Sequence, residues 1–211
     1  NENILIHFSS GEARFLTGNP SNDEKFPALS PDGKKVVFSR VGQFKSLPDF
    51  MFTREYTGNE GLYLINTDGT GERRLTNLAP GTEDLMPSWS PDGKKIVFVR
   101  QISNQVIRPG FSDLYVINAD GANLNKLTSY AETDTRVSLP IFSPDGERIA
   151  YHSGVSTYVV EANDRSNRGV SDDAGTLSPQ EMDMHFSWLP NSSELLISKQ
   201  YQPLDGRFHN S

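Results

Sequence analysis

Short apolar runs separated by turn residues dominate the chain. Runs such as Val36–Phe38 and Leu62–Ile65 are hydrophobic at every position rather than at every second one. Glycine, proline, asparagine and aspartate stand between the runs. Runs of this length with such boundaries predict β-strands, and strands without polar alternation are covered on both faces. The pattern therefore predicts an all-β protein in which each sheet is packed between neighbouring sheets.

The runs belong to an internal repeat. Three segments align without gaps, and each carries a Ser-Pro-Asp-Gly motif before its apolar run: Phe26–Phe38, Met86–Phe98 and Leu139–Tyr151. A fourth segment, His185–Ile197, keeps the pattern but has Leu-Pro-Asn-Ser instead of the motif. Because proline fixes φ and glycine accepts a positive φ, Pro-Asp-Gly predicts a tight turn between two strands, named A and B here.

Each unit also has a second half. The segments Gly61–Gly69 and Asp113–Gly121 both contain Asn-x-Asp-Gly and are followed by Leu-Thr, and Thr157–Asp164 is a fainter copy. Asn-x-Asp-Gly predicts a hairpin turn between strands C and D. Four-stranded antiparallel units repeated at this spacing predict the blades of a β-propeller. A β-sandwich, the alternative, would show polar residues on one face of most strands.

The repeats predict a single propeller domain over residues 1–211 with about four blades' worth of sequence. We expect a half-blade at its start, three blades and a partial blade, at 1–17, 26–76, 86–128, 139–171 and 184–211. Two arrangements are compatible with these lengths. The half-blade completes the partial blade and closes a four-bladed ring, or the chain is part of a larger ring.

The motif Pro-x-Trp-Ser-Pro-Asp-Gly, followed by an apolar strand, Asn-x-Asp-Gly and Leu-Thr, resembles the WD-like propeller repeat of the TolB C-terminal-domain type. The same repeat occurs in the propellers of prolyl-oligopeptidase-type serine peptidases. Residues 87–128 match it fully. The resemblance implies a six-bladed ring, which favours the larger ring, and a location in the periplasm or outside the cell. Since the motif residues are turn and packing residues, they specify the fold and not the function.

The amino-acid composition argues against several classes of function. Acidic residues outnumber basic ones, 27 to 20, for a net charge of −7, whereas nucleic-acid binding requires a basic surface. No apolar run approaches the roughly 20 residues of a membrane-spanning helix. The absence of cysteine excludes disulfides and thiol nucleophiles. No Gly-x-Ser-x-Gly, His-Glu-x-x-His or phosphate-loop motif occurs, so no catalytic residues are predicted.

The order of the strands assigns the loops to two rims. The short A–B and C–D turns share one rim, and the B–C and D–A loops share the other. The long insertions all belong to B–C or D–A loops, at 41–60, 101–112, 77–85, 129–138 and 171–184. Since loops on a rigid scaffold usually carry function, this loop-rich rim is predicted to be the working face.

The insertion 41–60 is the first candidate site. It carries aromatic residues and an arginine, the residue types that anchor protein interfaces: Phe44, Phe50, Phe52, Arg54 and Tyr56. They are predicted to bind a protein partner. In the alternative, the insertion folds over its own blade and buries them.

Polar residues near the D–A loops are the second candidate site. Asp84, Asp134, Asp183 and His185 are predicted at the mouth of the central channel, where they could bind a basic ligand or Ca²⁺. The alternative is that the carboxylates are solvated loop charges and that the histidine is structural. Apart from this calcium, no cofactor is predicted.

These observations favour a non-catalytic propeller that binds a protein partner, or a glycan, through its loop-rich rim, and the resemblance suggests an envelope complex. Two alternatives stay open. The chain is an accessory propeller of a prolyl-oligopeptidase-type serine peptidase, or it is a propeller lyase or glycan-active enzyme with a metal site in its channel.

Overall fold

The computed structural model describes most of the chain. The described residues are 2–46, 52–102, 111–130, 136–154, 156–163, 170–171 and 181–201. Within these ranges every regular element is a β-strand.

The chain begins with a two-stranded sheet of β1 and β2, which span Leu5–His7 and Ala13–Phe15. The first blade follows, with strands β3, β4, β7 and β8 over Asp23–Leu29, Lys35–Val41, Gly61–Asn66 and Arg73–Arg74. Between β4 and β7 the insertion forms a separate hairpin of β5 and β6, over Gln43–Ser46 and Phe52–Glu55.

The second blade contains β9 to β12, over Thr82–Trp89, Lys95–Ile102, Ser112–Asn118 and Asn125–Lys126. The third contains β13 to β16, over Val137–Phe142, Arg148–Ser153, Ser156–Glu161 and Val170–Ser171. Strands β17 and β18, over Glu181–Trp188 and Leu195–Tyr201, pair with each other.

Each blade is an antiparallel meander in which strands A to D are neighbours in chain order. The prediction of an all-β propeller fold with four-stranded antiparallel blades is therefore confirmed. Among the described strands, the β1–β2 pair and the β17–β18 pair form separate sheets. The number of blades in the complete ring stays a prediction.

The inner strands A begin before their predicted starts. Each passes through a bulge where a residue precedes proline, and Phe26, Met86 and Leu139 adopt φ angles of 53°, 53° and 51° there. A bulge leaves residues unpaired, so proline can lie in a strand without removing a ladder hydrogen bond. The predicted loop positions of Asp84 and Asp183 are consequently wrong, because both lie in inner strands.

Apolar side chains fill the space between neighbouring blades. Val37 and Leu62 of the first blade pack against Ile96 and Phe98 of the second, and all four are fully buried. The indole Nε1 of Trp89 donates a hydrogen bond of 3.0 Å to a main-chain carbonyl of the first blade. These contacts explain the continuous apolar runs, since both faces of each middle strand are covered.

The polar side chains of the Ser-Pro-Asp-Gly motif make hydrogen bonds within the turn that the motif forms. In the second blade, Ser90 Oγ donates to Asp92 Oδ1 at 2.7 Å and accepts the main-chain N–H of Lys95 at 2.9 Å. Asp92 also accepts the N–H of Lys94 at 3.0 Å. The hydrogen bond from Ser90 and then that from Lys94 lower the pKa of Asp92 below its ordinary value. The serine and aspartate of the motif are therefore structural groups.

An arginine on the outer strand D joins each of the first two pairs of neighbouring sheets. Arg14 donates to the main-chain oxygens of Thr67 and Asp68 in the C–D turn of the first blade, at 2.6 and 3.1 Å. Arg73 makes the equivalent contacts to the second blade. Hydrogen bonds from arginine side chains of the repeat therefore connect neighbouring sheets at the rim of the A–B and C–D turns.

Candidate functional site

The inserted hairpin stands on the loop-rich rim of the first blade. Its register places Phe44 opposite Arg54 and Ser46 opposite Phe52. Phe44 and Arg54 are therefore cross-strand partners in the backbone register of the hairpin. Phe50, between the two strands, lies outside the described residues. The backbone therefore brings three of the five predicted binding residues onto one small sheet.

Tyr56 lies at the base of this hairpin. It is half-buried, and its hydroxyl oxygen is buried without a hydrogen-bond partner among the residues that the structure describes. Gly42, which precedes β5, lies against Glu55 and Tyr56. A Cβ atom added to Gly42 would lie only 2.5 Å from the main-chain carbonyl oxygen of Glu55. Glycine is therefore required for this close approach. The position of Tyr56 agrees better with the local-burial alternative than with a fully exposed anchor.

A buried carboxylate holds the root of the insertion. Glu60 is 4% exposed and accepts the main-chain N–H groups of Thr57 and Gly58 at 2.6 and 2.9 Å. It also accepts the side-chain amide of Asn22 at 3.1 Å, which ties the B–C loop to the preceding D–A loop. The Arg74 guanidinium donates to the main-chain oxygens of Gly58 and Glu60. These hydrogen bonds join the two loops at the base of the hairpin.

Glu60 gives the rim a testable pH dependence. Burial alone would raise the pKa of Glu60, but the hydrogen bonds from Thr57 and Gly58 outweigh it and lower the pKa below the ordinary 4.5. A depressed folded pKa contributes stability above the unfolded pKa, and this stability is lost as the pH falls through the folded value. We expect the melting temperature to decrease below about pH 4.5 and this decrease to be smaller in Glu60→Gln.

Thermal unfolding of both proteins between pH 3 and 7 measures this difference, at constant ionic strength. A Glu60→Gln variant whose melting temperature follows the same pH curve as the wild type would contradict the assignment.

The predicted channel-mouth residues lie on inner strands of different blades. The Asp84 carboxylate is fully buried and accepts Arg100 Nε and Nη2 at 2.7 and 2.8 Å, so it belongs to a structural ion pair. In β17, Asp183 pairs with Lys199 in the strand register, and the exposed His185 pairs with Ser198. Asp134 lies outside the described residues.

Metal binding at the channel mouth stays a prediction. In the described ranges no group of three or more histidine and acidic side chains is close enough to hold a metal ion. Asp134, which belongs to the predicted set, lies outside these ranges.

The inner strands carry an apolar row that the sequence analysis did not single out. It consists of the residue before each repeat proline: Phe26, Met86 and Leu139. Phe26 and Leu139 are 41% and 48% exposed, and Met86 Sδ lies 3.5 Å from the main-chain nitrogen of Leu139. His185 occupies the aligned position of the fourth copy. The repeat alignment contained this signal, because all four residues stand first in the aligned segments.

The positive φ angles of this row strain the backbone, since residues with a Cβ rarely adopt them. Strained residues cluster where a protein presents groups for recognition. The candidate site therefore consists of the inserted hairpin on the loop-rich rim and of the apolar row on the inner strands A. Among the described residues, no helix is long and apolar enough to cross a membrane.

Comparisons with known proteins identify relatives of this fold. The sequence matches the family described as TolB beta propeller domain over residues 48–206. It is 30% identical over 128 residues to a TolB homolog of Chlorobium luteolum, covering 60% of this chain and 23% of that protein. It is 27% identical over 177 residues to dipeptidyl-peptidase 5 of Porphyromonas endodontalis, covering 83% of this chain and 22% of that protein.

Among solved structures, the fold resembles that of TolB from Acinetobacter baumannii, with a TM-score of 0.53 and 20% identity over 93% of this chain and 45% of that one. At this identity the similarity establishes the fold alone. The chain spans less than half the length of the curated relatives that it matches.

Proposed function

Because the chain belongs to the TolB β-propeller domain family, we propose that it is a non-catalytic propeller that binds a protein partner through its loop-rich rim. The observation that carries this proposal is the inserted hairpin, which places Phe44, Phe52 and Arg54 on a base fixed by Glu60. The partner belongs to the periplasm or the extracellular space, where an envelope complex or a glycan-bearing surface would be available.

The chemistry of the repeat supports a binding role rather than a catalytic one. The serine and aspartate of the motif are hydrogen-bonded within their turns, as Ser90 and Asp92 illustrate. Asp84 has both carboxylate oxygens on Arg100. These groups stabilise the fold, whereas the variable loops and the apolar row are available for recognition.

Alanine substitutions in the hairpin test the proposal. We expect Phe50→Ala and Phe52→Ala to reduce partner recovery from an envelope fraction at least tenfold, because aromatic hot-spot residues each contribute about 2 kcal/mol or more to such interfaces. Recovery is measured by quantitative affinity copurification on the full chain. Phe15→Ala is the matched control, since Phe15 is a 69% exposed aromatic on β2 and lies outside the insertion.

Melting temperatures of the same variants separate the two interpretations of the hairpin. Unchanged stability with lost recovery supports an interface. A marked decrease in melting temperature for Phe52→Ala would instead show that the aromatic residues are buried against their own blade. Equal recovery for Phe52→Ala and the wild type would reject the proposal.

The accessory-propeller alternative is favoured by the similarity to a dipeptidyl-peptidase. It requires a hydrolase domain on the same polypeptide. A full-length gene that continues into an α/β-hydrolase segment with a Gly-x-Ser-x-Gly motif would support this alternative, and one without such a segment would exclude it.

A further inference from the structure

The junctions between neighbouring sheets contain a guanidinium site that recurs along the repeat. At the junction of the first and second blades, Arg73 Nη2 and Nη1 donate to the main-chain oxygens of Ala119 and Asp120 at 2.6 and 3.1 Å. Arg14 makes the same pair of contacts, at the same two distances, one junction earlier. The site is therefore a pair of neighbouring carbonyl oxygens that accepts one planar guanidinium.

The arginine is absent from the junction of the second and third blades. Arg73 is the cross-strand partner of Leu64 in the first blade, and Asn125 is the partner of Val116 in the second. Asparagine therefore occupies the arginine position on strand D of the second blade. Its side chain is shorter and has no guanidinium, so it cannot supply the same two donor nitrogens.

The two acceptors of the site are kept in the third blade. The main-chain N–H of Ala162 donates to the A–B turn of its own blade at 2.8 Å, as that of Ala119 does in the second blade. Ala162 and Asn163 therefore hold the positions of Ala119 and Asp120. Since the arginines contact main-chain oxygens, the change of side chain from Asp120 to Asn163 leaves both acceptors in place. No hydrogen bond between described residues ends on the main-chain oxygens of Ala162 or Asn163.

A cavity of about 290 Å³ lies at this junction. Its walls include Asn125 from the second blade and both Ala162 and Asn163 from the third. The equivalents of the arginine and of its two acceptors thus border one space. The cavity corresponds to the place that the Arg73 guanidinium fills at the preceding junction.

A lysine in the wall of the cavity is compatible with a bound cation. Lys95 donates through Nζ to the side-chain oxygen of Asn163, which is not one of the two main-chain acceptors. Lys95 begins β10 as Lys35 begins β4. A lysine therefore has the same strand position at the junction where Arg73 is bound.

We propose that this junction binds a guanidinium group from outside the chain, presented as an arginine side chain by a bound protein. Two nitrogens of the guanidinium donate to the main-chain oxygens of Ala162 and Asn163, as Arg73 does one junction earlier. A protein is the source because both occupied sites hold a guanidinium that is carried by a polypeptide strand. The site lies on the rim of the A–B and C–D turns, so it is independent of the function proposed for the inserted hairpin.

Titration of the full chain with methylguanidinium chloride tests the site, at millimolar concentrations and constant ionic strength. The NMR signals of the Ala162 and Asn163 amides are followed. We expect saturable shifts with methylguanidinium and an affinity lower by about tenfold or more with methylammonium, whose single nitrogen cannot make two parallel hydrogen bonds. The absence of a saturable shift, or equal affinity for the two cations, would overturn the proposal.

Variants that move the arginine give the matched comparison. Asn125→Arg should complete the site within the chain, raise the melting temperature and reduce methylguanidinium affinity by about tenfold or more. Arg73→Asn should create a second site, seen as new saturable shifts of the Ala119 and Asp120 amides. Arg14→Asn gives the same comparison at the first junction if Arg73→Asn does not fold. Wild-type affinity in Asn125→Arg, or no new site in a folded reverse variant, would contradict the assignment.

Two arginine derivatives distinguish the sources of the guanidinium. N-acetyl-L-arginine methylamide imitates an arginine residue within a protein, and we expect it to bind at least as tightly as free L-arginine. Tighter binding of free L-arginine would show recognition of its amino and carboxylate groups and would reject a protein as the source.

Discussion

Replacing Arg100 by leucine is expected to lower the free energy of unfolding by about 3–5 kcal/mol, because it leaves a buried carboxylate without its cation. Asp84 has no exposed side-chain surface, and the Arg100 side chain is only 16% exposed. Both carboxylate oxygens accept hydrogen bonds from this one guanidinium. The Arg100 guanidinium carbon also lies 4.7 Å from the centre of the Tyr115 ring. Removal of the arginine thus loses a bidentate pair and a stacking contact together.

Urea denaturation of the full chain measures the change through the transition midpoint. The double variant Asp84→Leu/Arg100→Leu is the informative control, since replacing both members of a buried pair by apolar residues is often close to neutral. We expect it to recover most of the stability that Arg100→Leu loses. A loss below about 1 kcal/mol in the single variant would be typical of a surface pair and would contradict this role.

The same ion pair shows what the sequence can and cannot predict. Glu24 and Arg40, like Asp84 and Arg100, are 16 residues apart on either side of the repeat turn. The equal separation around identical turns was a signal for a cross-strand pair. The sequence instead predicts a loop position for Asp84, because a proline follows Met86 and proline is typical of the start of a strand. The bulge at Met86 keeps the strand continuous, and no local propensity predicts it.

The strands and turns were predictable because the same short-range residue pattern occurs in several copies of the repeat. The turn of the second blade is closed by hydrogen bonds of Ser90 and Asp92 to groups at most five residues away, so a short stretch of sequence determines it. The hydrogen bond from the Asn22 side-chain amide to Glu60 Oε1 has the opposite origin. It depends on how the B–C loop of the first blade packs beside the preceding D–A loop. Sequence patterns specify such packing only through contacts between segments, which a single sequence does not show.

This division explains why the repeat identifies the fold better than the function. The turns that carry Ser-Pro-Asp-Gly lie at the rim opposite the inserted hairpin, and their polar groups are satisfied internally. The proposed partner-binding hairpin instead belongs to the insertion after Val41, a position at which the copies differ. The shared motif therefore identifies the fold, and the proposed function rests on features outside the motif.

Replacing Gly93 by valine is expected to destabilise the second blade by about 1–3 kcal/mol. Gly93 has a φ of 69° at the end of the Pro-Asp-Gly turn, a conformation that a β-branched residue adopts only with strain. A Cβ atom there would lie 3.8 Å from Pro31 Cδ of the neighbouring blade, an ordinary van der Waals distance. The expected loss therefore comes from the backbone conformation and not from a clash at the Cβ atom.

The fourth copy of the repeat provides the control for this argument. Ser192 stands where the other copies have glycine and adopts a φ of 60°, so a small polar residue is accommodated in the same turn. Gly93→Asn should consequently lose less stability than Gly93→Val, since asparagine enters this region more readily. Thermal unfolding measures both, with a decrease of roughly 2–4 °C expected for each kcal/mol. Equal melting temperatures for Gly93→Val and the wild type would show that the turn does not require a positive φ at this position.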